Sequence, residues 1–426
     1  MARILITSFG SFGDVNPYIG LGLELRRRGH RVVLGMSSIY RSAIEDQGLE
    51  FHHVRPDVDP EDGALMGRIM DPARGTETIF AEILLPSLAA SYDDLLAASD
   101  GADLVVTHPT SLAAPVVAEQ RGLPWVSSVL APMSFFSVSD PVVPPPAPWL
   151  HALLTRSRLA SRGFVWLADR MTGRWGQPVR DRRRALGLPD RGNPILAGQH
   201  SPHGVLALFS RALGAPQPDW PPRTTLTGPI LYNANAAPDV SDEIARFLAA
   251  GSPPVVFTLG SSAVEAAGGF YEASAAAVAR LGCRAILLVG RHARHRPAEA
   301  TGDILAVDYA PHAQLFPQAA AIVHQGGVGT LHQALAAGRP MLVVPHAHDQ
   351  PDNAMRAARL GVARVLTPTR YTEASVSEAL TDLLTEGRYR QRAEAVGAEV
   401  RAEAGSAAAR AADALEAAVS ERAATA

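Results

Sequence analysis

Not one lysine occurs in the 426 residues; all 39 basic side chains are arginine. That removes every mechanism built on an ε-amino group, including the Schiff-base lysine of pyridoxal-phosphate enzymes and the P-loop lysine that reaches nucleotide phosphates. Cysteine is almost as scarce. Cys283 stands alone, which excludes internal disulfides and a thiolate zinc cluster, and its apolar setting, LGCRAILLVG, predicts a buried small side chain. No apolar run approaches the about 18 residues that a membrane span requires. The start, MARILITSFG, reads as a first strand rather than a signal peptide, so a soluble, cytoplasmic protein is expected. Charge of one sign is also missing: the formal net charge of -3 gives no reason to expect nucleic acid.

What is present is length for two domains, each of about 200 residues, and an alternation of strand-like and helix-like runs in both halves. The fold class is therefore α/β with parallel sheets. In the first half, Ile4 to Thr7, Arg31 to Gly35, Leu104 to Thr107 and Trp125 to Val129 read as strands, with a helix from about Pro17 to Arg28. A proline-rich stretch from Val138 to Pro148 predicts an irregular, mobile loop. Residues 214–238, rich in Pro, Asn and Thr, read as a linker between an N-terminal domain (1–213) and a C-terminal one (239–400). The second half restarts with strands at Val255 to Leu259, Ala285 to Val289, Ile304 to Val307, Ala320 to Val323 and Met341 to Val344. The Ala-, Glu- and Arg-rich residues 401–426 predict a helix that can run back onto the first domain.

The densest chemistry lies at 324–350, HQGGVGTLHQALAAGRPMLVVPHAHDQ. A strand delivers the chain to His324, and glycines 326, 327 and 329 open a helix near Thr330. Glycines let amides approach an anion, and a helix N-terminus adds partial positive charge, so this is a phosphate site that needs no lysine. Past the next strand come His346, His348, Asp349 and Gln350, where open α/β sheets bind ligands. His346 and His348 alternate without a third ligand at a metal-binding spacing, and the DVD of 57–59 lies in a Pro- and Asp-rich loop, so no metal site is assigned.

Together with GSFGDVNPYIGLGLELRRRGHRV (10–32), QHSPHGVLALF (199–209), VVFTLGSS (255–262) and YAPHAQLFP (309–317), this segment resembles the GT-B glycosyltransferases over essentially the whole chain. The resemblance is strongest to the inverting family of bacterial antibiotic and sterol glycosyltransferases, and the rhamnolipid-forming rhamnosyltransferases look nearest. It implies two Rossmann-like domains facing a central cleft, the N-terminal one for acceptor and the C-terminal one for nucleotide sugar. It also implies a donor diphosphate held by His324 and by the turn Gly327, Val328, Gly329 and Thr330, with Ser261 and Ser262 closing the site. Tyr309, Ala310 and His312 stand where plant members have WAPQ, whose Trp stacks on the nucleobase; Tyr309 can stack too. His332 stands where plant members place a ribose-binding glutamate. Bacterial members using deoxythymidine donors also have histidine there, which implies a dTDP-sugar first and a UDP-sugar second. Asp349 and Gln350 match the pair that contacts sugar hydroxyls. The family implies no cofactor and no metal.

Inverting transfer to a hydroxyl needs a base within about 3 Å of it. Many members use a histidine in the first N-terminal loop, which is absent here; Asp14, in SFGDVNP, matches the aspartate of the GDV-containing enzymes, and it can equally cap the following helix. His108, after the strand Leu104 to Thr107, is the second catalytic candidate. Phe12, Met133, Phe135 and Phe136 are assigned to a lipophilic hydroxyl acceptor, with Trp149 in the same aromatic stretch. RDRRR at 180–184 reads as a solvated helix face, peripheral membrane contact stays open, and a monomer and a homodimer are both compatible. Three rivals remain: a Rossmann oxidoreductase, which the spacing of Gly10 and Gly13 disfavours; a sugar-nucleotide 2-epimerase of the same architecture; and a non-catalytic nucleotide-sugar-binding partner protein.

Overall fold

The computed structural model describes residues 1–232, 239–291, 295–298, 300 and 302–425. Seven strands form the first sheet: β1 (Arg3–Thr7), β2 (Arg31–Met36), β3 (Glu50–His53), β4 (Leu104–Thr107), β5 (Trp125–Val129), β6 (Val205–Ala207) and β7 (Thr224–Leu226). All are parallel, in the order β3-β2-β1-β4-β5-β6-β7. Six more form the second: β8 (Val255–Thr258), β9 (Ala285–Leu288), β10 (Ile304–Val307), β11 (Ala321–His324), β12 (Met341–Val343) and β13 (Ala363–Val365), parallel in the order β10-β9-β8-β11-β12-β13. The central strands are Val-, Ile- and Leu-rich and buried along their length, because helices cover both faces of a parallel sheet.

Strands β3, β6, β7 and β13 carry three or four residues each, and three of them are sheet edges. Too short for an apolar run, they leave no periodic signal in the sequence. Strand β7 falls inside 214–238, so that stretch is not wholly a linker; its residues 233–238 lie outside the described residues. Packing groups Met1–Asp59, Thr76–Ala234 and Glu403–Ala426 as one unit, and Pro60–Gly75 with Asn235–Ala402 as another. Residues 60–75 therefore belong with the second unit and not with the N-terminal domain to which the sequence assigned them. The C-terminal helix begins at Gly387 rather than 401 and runs to Thr425. Within the first unit, Arg28 bonds Asp413 (2.6 Å) and Glu416 (2.8 Å) of that helix, and His30 meets Glu416 at 2.9 Å.

The first helix starts at Phe12, not Pro17, because Ser11 and Asp14 form a reciprocal cap upstream of the proline. The proline-rich stretch is held rather than loose: Val142 and Val143 are buried, and the Asp219 carboxylate accepts from Ser137 Oγ (2.8 Å), the Val138 amide (2.6 Å) and the Ser139 amide (3.3 Å). Three charge-assisted bonds order the start of the stretch. Asp219→Ala should cost about 1–3 kcal/mol and expose 137–143 to proteolysis; unchanged melting and an unchanged cleavage pattern would refute this.

Candidate active site

In each sheet the strand order reverses once, between β1 and β4 and between β8 and β11. At such a point the loops leaving two adjacent parallel strands diverge to opposite sides, which opens a crevice at their carboxyl ends. Asp14 and His108 sit at the first of these places, and the turns at Gly260 and at His324 to Thr330 sit at the second.

At the first reversal, Thr7 pairs in register with Thr107, and their strands deliver Asp14 and His108. Gly10, at φ +148°, leaves the space that the Asp14 carboxylate fills: a Cβ there would lie 2.3 Å from Oδ2. Oδ2 accepts from the Ser11 amide at 2.7 Å and the Ser11 hydroxyl at 3.1 Å. Oδ1 faces His108 Nε2 at 4.0 Å, too far for a hydrogen bond. Burial raises the Asp14 pKa to about 6, against the Ser11 amide and hydroxyl, which lower it. Its side chain remains 31 % exposed, so one carboxylate edge is accessible. Asp14 thus sits at the third helical position of a capping box and carries a perturbed carboxylate at once.

His108 is held from behind. Its Nδ1 lies 2.6 Å from Thr110 Oγ1, which donates its proton to the Phe9 carbonyl at 2.9 Å. The Thr110 amide also points at Nδ1, 3.4 Å away, so the hydroxyl and the amide of one residue fix the ring with Nε2 toward Asp14. Burial lowers the His108 pKa to about 3, so the ring is neutral near pH 7. Tyr18 packs edge-on against it at 6.1 Å and bonds Ser128 Oγ at 2.7 Å. Ser11 and Thr110 are additions to the sequence-derived set; the S-x-x-D spacing of 11–14 signals the first, whereas nothing local signals the second.

At the second reversal, Thr258 pairs with His324, and two glycine turns follow. Gly260, at φ +64°, starts the short helix Gly260–Ala263 with Ser261 exposed; the Ser262 side chain lies outside the described residues. Gly326, at φ +88°, precedes Gly327, the N-cap of helix Val328–Ala337. The first amide bonded within that helix is Leu331, to Gly327 O at 2.9 Å, so the amides of Val328, Gly329 and Thr330 have no intrahelical acceptor. Between the two turns lies Gln325, a buried side chain that the motif did not flag. A Cβ on Gly260 would meet Gln325 Nε2 at 2.3 Å, and one on Gly327 at 2.9 Å, while its Oε1 has no hydrogen-bond partner among the described residues.

Other assignments change on inspection. His324 is fully buried; its Nδ1 accepts from the Gly326 amide at 3.0 Å and its Nε2 faces Met341 Sδ at 3.3 Å. It shapes the turn and offers no open ring N–H to a phosphate oxygen. Gln350 Oε1 accepts from the amides of His346 (2.8 Å) and Ala347 (3.2 Å), so it organises the loop instead of pointing at a sugar. Asp349 accepts from Asn353 Nδ2 at 2.7 Å, and the same amide group bonds Gly326 O at 2.9 Å, tying the two loops together. His332 is buried within its helix and hydrogen-bonded to the Val328 carbonyl, away from any ribose. Tyr309 is half exposed beside buried Ala310, and His312 stacks on Phe316 at 4.3 Å. His346 bonds Val344 O, and His348 bonds the Ile69 carbonyl.

On the acceptor side, Phe12 meets Tyr40 edge-on at 5.0 Å, and Met133 and Phe136 are half-buried, Phe136 at φ +46°. Phe135 is core: it stacks on Trp220 at 4.4 Å and packs against Phe209, so it is not a free acceptor wall. Asp57 of the DVD sequence accepts from Ser37 Oγ, the Ser38 amide and His53 Nε2, which accounts for it structurally. Of 180–184, Arg183 is buried against Glu119, Arg182 lies over Tyr92 and Arg184 pairs with Asp181. Cys283 is half-buried.

Residues 4–135 match the glycosyltransferase family 28 N-terminal domain, and residues 273–415 the erythromycin biosynthesis protein CIII-like C-terminal domain. The chain is 33 % identical over 415 residues to O-mycaminosyltylonolide 6-deoxyallosyltransferase of Streptomyces fradiae, covering 93 % of this chain and 94 % of that one. It belongs to the antibiotic-type GT-B glycosyltransferases. Glycosyltransferase GtfE of Amycolatopsis orientalis is 31 % identical across 98 % of both chains. Among solved structures, the kitacinnamycin glycotransferase superposes with a TM-score of 0.70 (24 % identity, 98 % and 99 % covered), and glycosyltransferase VinC in complex with dTDP with 0.64 (21 %, 97 % and 100 %). Both share the two-sheet fold of this glycosyltransferase. No helix among the described residues is long and apolar enough to cross a membrane.

Two tests follow from these halves. The folded pKa of Asp14, about 6, lies above the ordinary carboxyl value of 3.8, so ionisation costs stability as pH rises through that window and none below it. Asp14→Asn should therefore melt about 2–4 °C above the parent at pH 8 and level with it near pH 4; a pH-independent difference would contradict the assignment. Gly260→Ala should destabilise by about 1–3 kcal/mol, and adding Gln325→Ala should recover about 1 kcal/mol of it. Strict additivity would show that the two residues do not meet.

Proposed function

We propose that this glycosyltransferase moves a sugar, with inversion and without a metal, from a dTDP- or UDP-sugar to a hydroxyl of a lipophilic acceptor. Asp14 is the base. The observation that carries this reading is a carboxylate of raised pKa beside a neutral histidine at the first strand reversal, on an accessible edge. The acceptor O–H gives its proton to Asp14 as the oxygen attacks the anomeric carbon, and the bond from that carbon to the diphosphate oxygen breaks. Neutral His108, its Nε2 4.0 Å from Oδ1, stands beside the carboxyl that results and brings no positive charge against its protonation. The departing diphosphate collects negative charge, which the amides of Val328, Gly329 and Thr330 and the helix dipole are placed to stabilise.

Support for the donor comes from the helix N-terminus at 327–330 and from a solved fold relative described with dTDP. Half-exposed Tyr309 is available for stacking on the base. Asp349, half-buried at the start of its helix, is the side chain proposed for the sugar hydroxyls; Gln350 supports its loop. Phe12, Met133 and Phe136 are the apolar groups proposed for the acceptor.

Asp14→Asn should lower kcat by about three orders of magnitude while dTDP binding, measured by calorimetry, stays within about twofold. The parent enzyme's kcat/KM should fall below an apparent pKa of about 6, since the base must be ionised. Near-normal turnover of the variant would remove Asp14 from the role, and no heat with dTDP or UDP would remove the donor assignment.

A further inference from the structure

Six of the twelve most exposed large apolar side chains among the described residues fall between Trp149 and Met171. They lie on helices His151–Arg156 and Arg158–Thr172 and on the turn before them. The longer helix is firmly seated: Ser157 Oγ caps the Ala160 amide at 3.2 Å, and Asn193 Nδ2 bonds Asp169 O at 3.0 Å and Thr172 Oγ1 at 2.8 Å. Its buried side is Ser161, with Phe164, Val165 and Ala168 half-buried. Positions 159, 163, 166 and 170 recur at helical spacing, so Leu159, Trp166 and Arg170 share one outward stripe, with Leu167 and Met171 beside it and Arg162 on its other border. Leu159 is 81 % and Trp166 65 % exposed. A held helix with its apolar stripe in water is costly unless something covers it.

Charge says what. Residues 149–174 hold five arginines against one aspartate, in a chain whose net charge is -3. Arg156, Arg162 and Arg170 have no carboxylate within ion-pair distance among the described residues, whereas the nearby Arg174 is paired with Glu77. Arginine sits within the apolar stripe and not only around it. An anionic lipid headgroup layer meets both demands at one depth, because phosphates reach the guanidinium groups wherever they fall while the indole and aliphatic side chains enter the acyl boundary. A protein partner would need carboxylates placed one by one.

We propose that the Arg158–Thr172 helix docks this enzyme on anionic lipid bilayers. The RDRRR stretch, read from the sequence as a solvated helix face, lies on the next helix, where Arg183 is buried against Glu119 and Arg184 pairs with Asp181. The proposal does not rest on the identity of donor or acceptor. The full chain should cosediment with vesicles of phosphatidylcholine carrying phosphatidylglycerol but not with phosphatidylcholine alone, and binding should weaken as salt rises. The double variant Arg162→Glu, Arg170→Glu should lower partitioning about thirtyfold, and Leu159→Ser with Trp166→Ser should abolish it. Both variants should melt and bind dTDP as the parent does. Three results would overturn the proposal: no sedimentation with anionic vesicles, equal sedimentation of parent and variants, or a parent dimer in solution that Trp166→Ser converts to monomer, which would assign the face to a second copy.

Discussion

The pairing of Asp14 with His108, and of the two glycine turns, depends on two reversals of strand order. A parallel sheet wound in one direction sends all its loops the same way; where the winding changes hand, two neighbouring loops part and leave their backbone groups facing one another across a gap. At β1/β4 the gap receives a carboxylate and an imidazole; at β8/β11 it receives two glycine turns and the amides of a helix N-terminus. The same topological device serves both, and only the side chains hung on it differ.

The central strands were legible because burial on both faces forces apolar runs; β4 and β5 begin and end where those runs do. Edge strands β3, β7 and β13 were not, since a short strand such as Thr224–Leu226 takes its identity from a neighbour's hydrogen bonds and not from its own pattern. The start of the first helix was misplaced for a related reason. Proline at 17 suggested a beginning, but Ser11 and Asp14 satisfy the free amides a turn and a half earlier.

In the site, residue identity was easier to read than residue duty. Asp14 and His108 were marked by sequence, and the structure brings them to 4.0 Å. His324, Gln350 and His332 were marked too, yet each spends its polar atoms on the protein's own backbone or on a neighbouring sulfur. A motif reports which residue types a turn needs, and it does not say whether they face a ligand or hold the turn. Gln325 and Thr110 show the reverse. They are placed by contacts more than sixty residues away or by a bond two residues along the chain, and neither kind leaves a periodic trace.

The crowding around Gln325 also bears on how this gene can change. Alanine abounds in the chain, and a single base substitution turns a glycine codon into an alanine codon. At Gly260, Gly326 and Gly327 the added carbon would run into a side chain or backbone already in place. At Gly260 and Gly326 the left-handed backbone adds strain to the crowding, whereas at Gly327 only the far end of Gln325 has to move, so substitution meets most resistance at the first two.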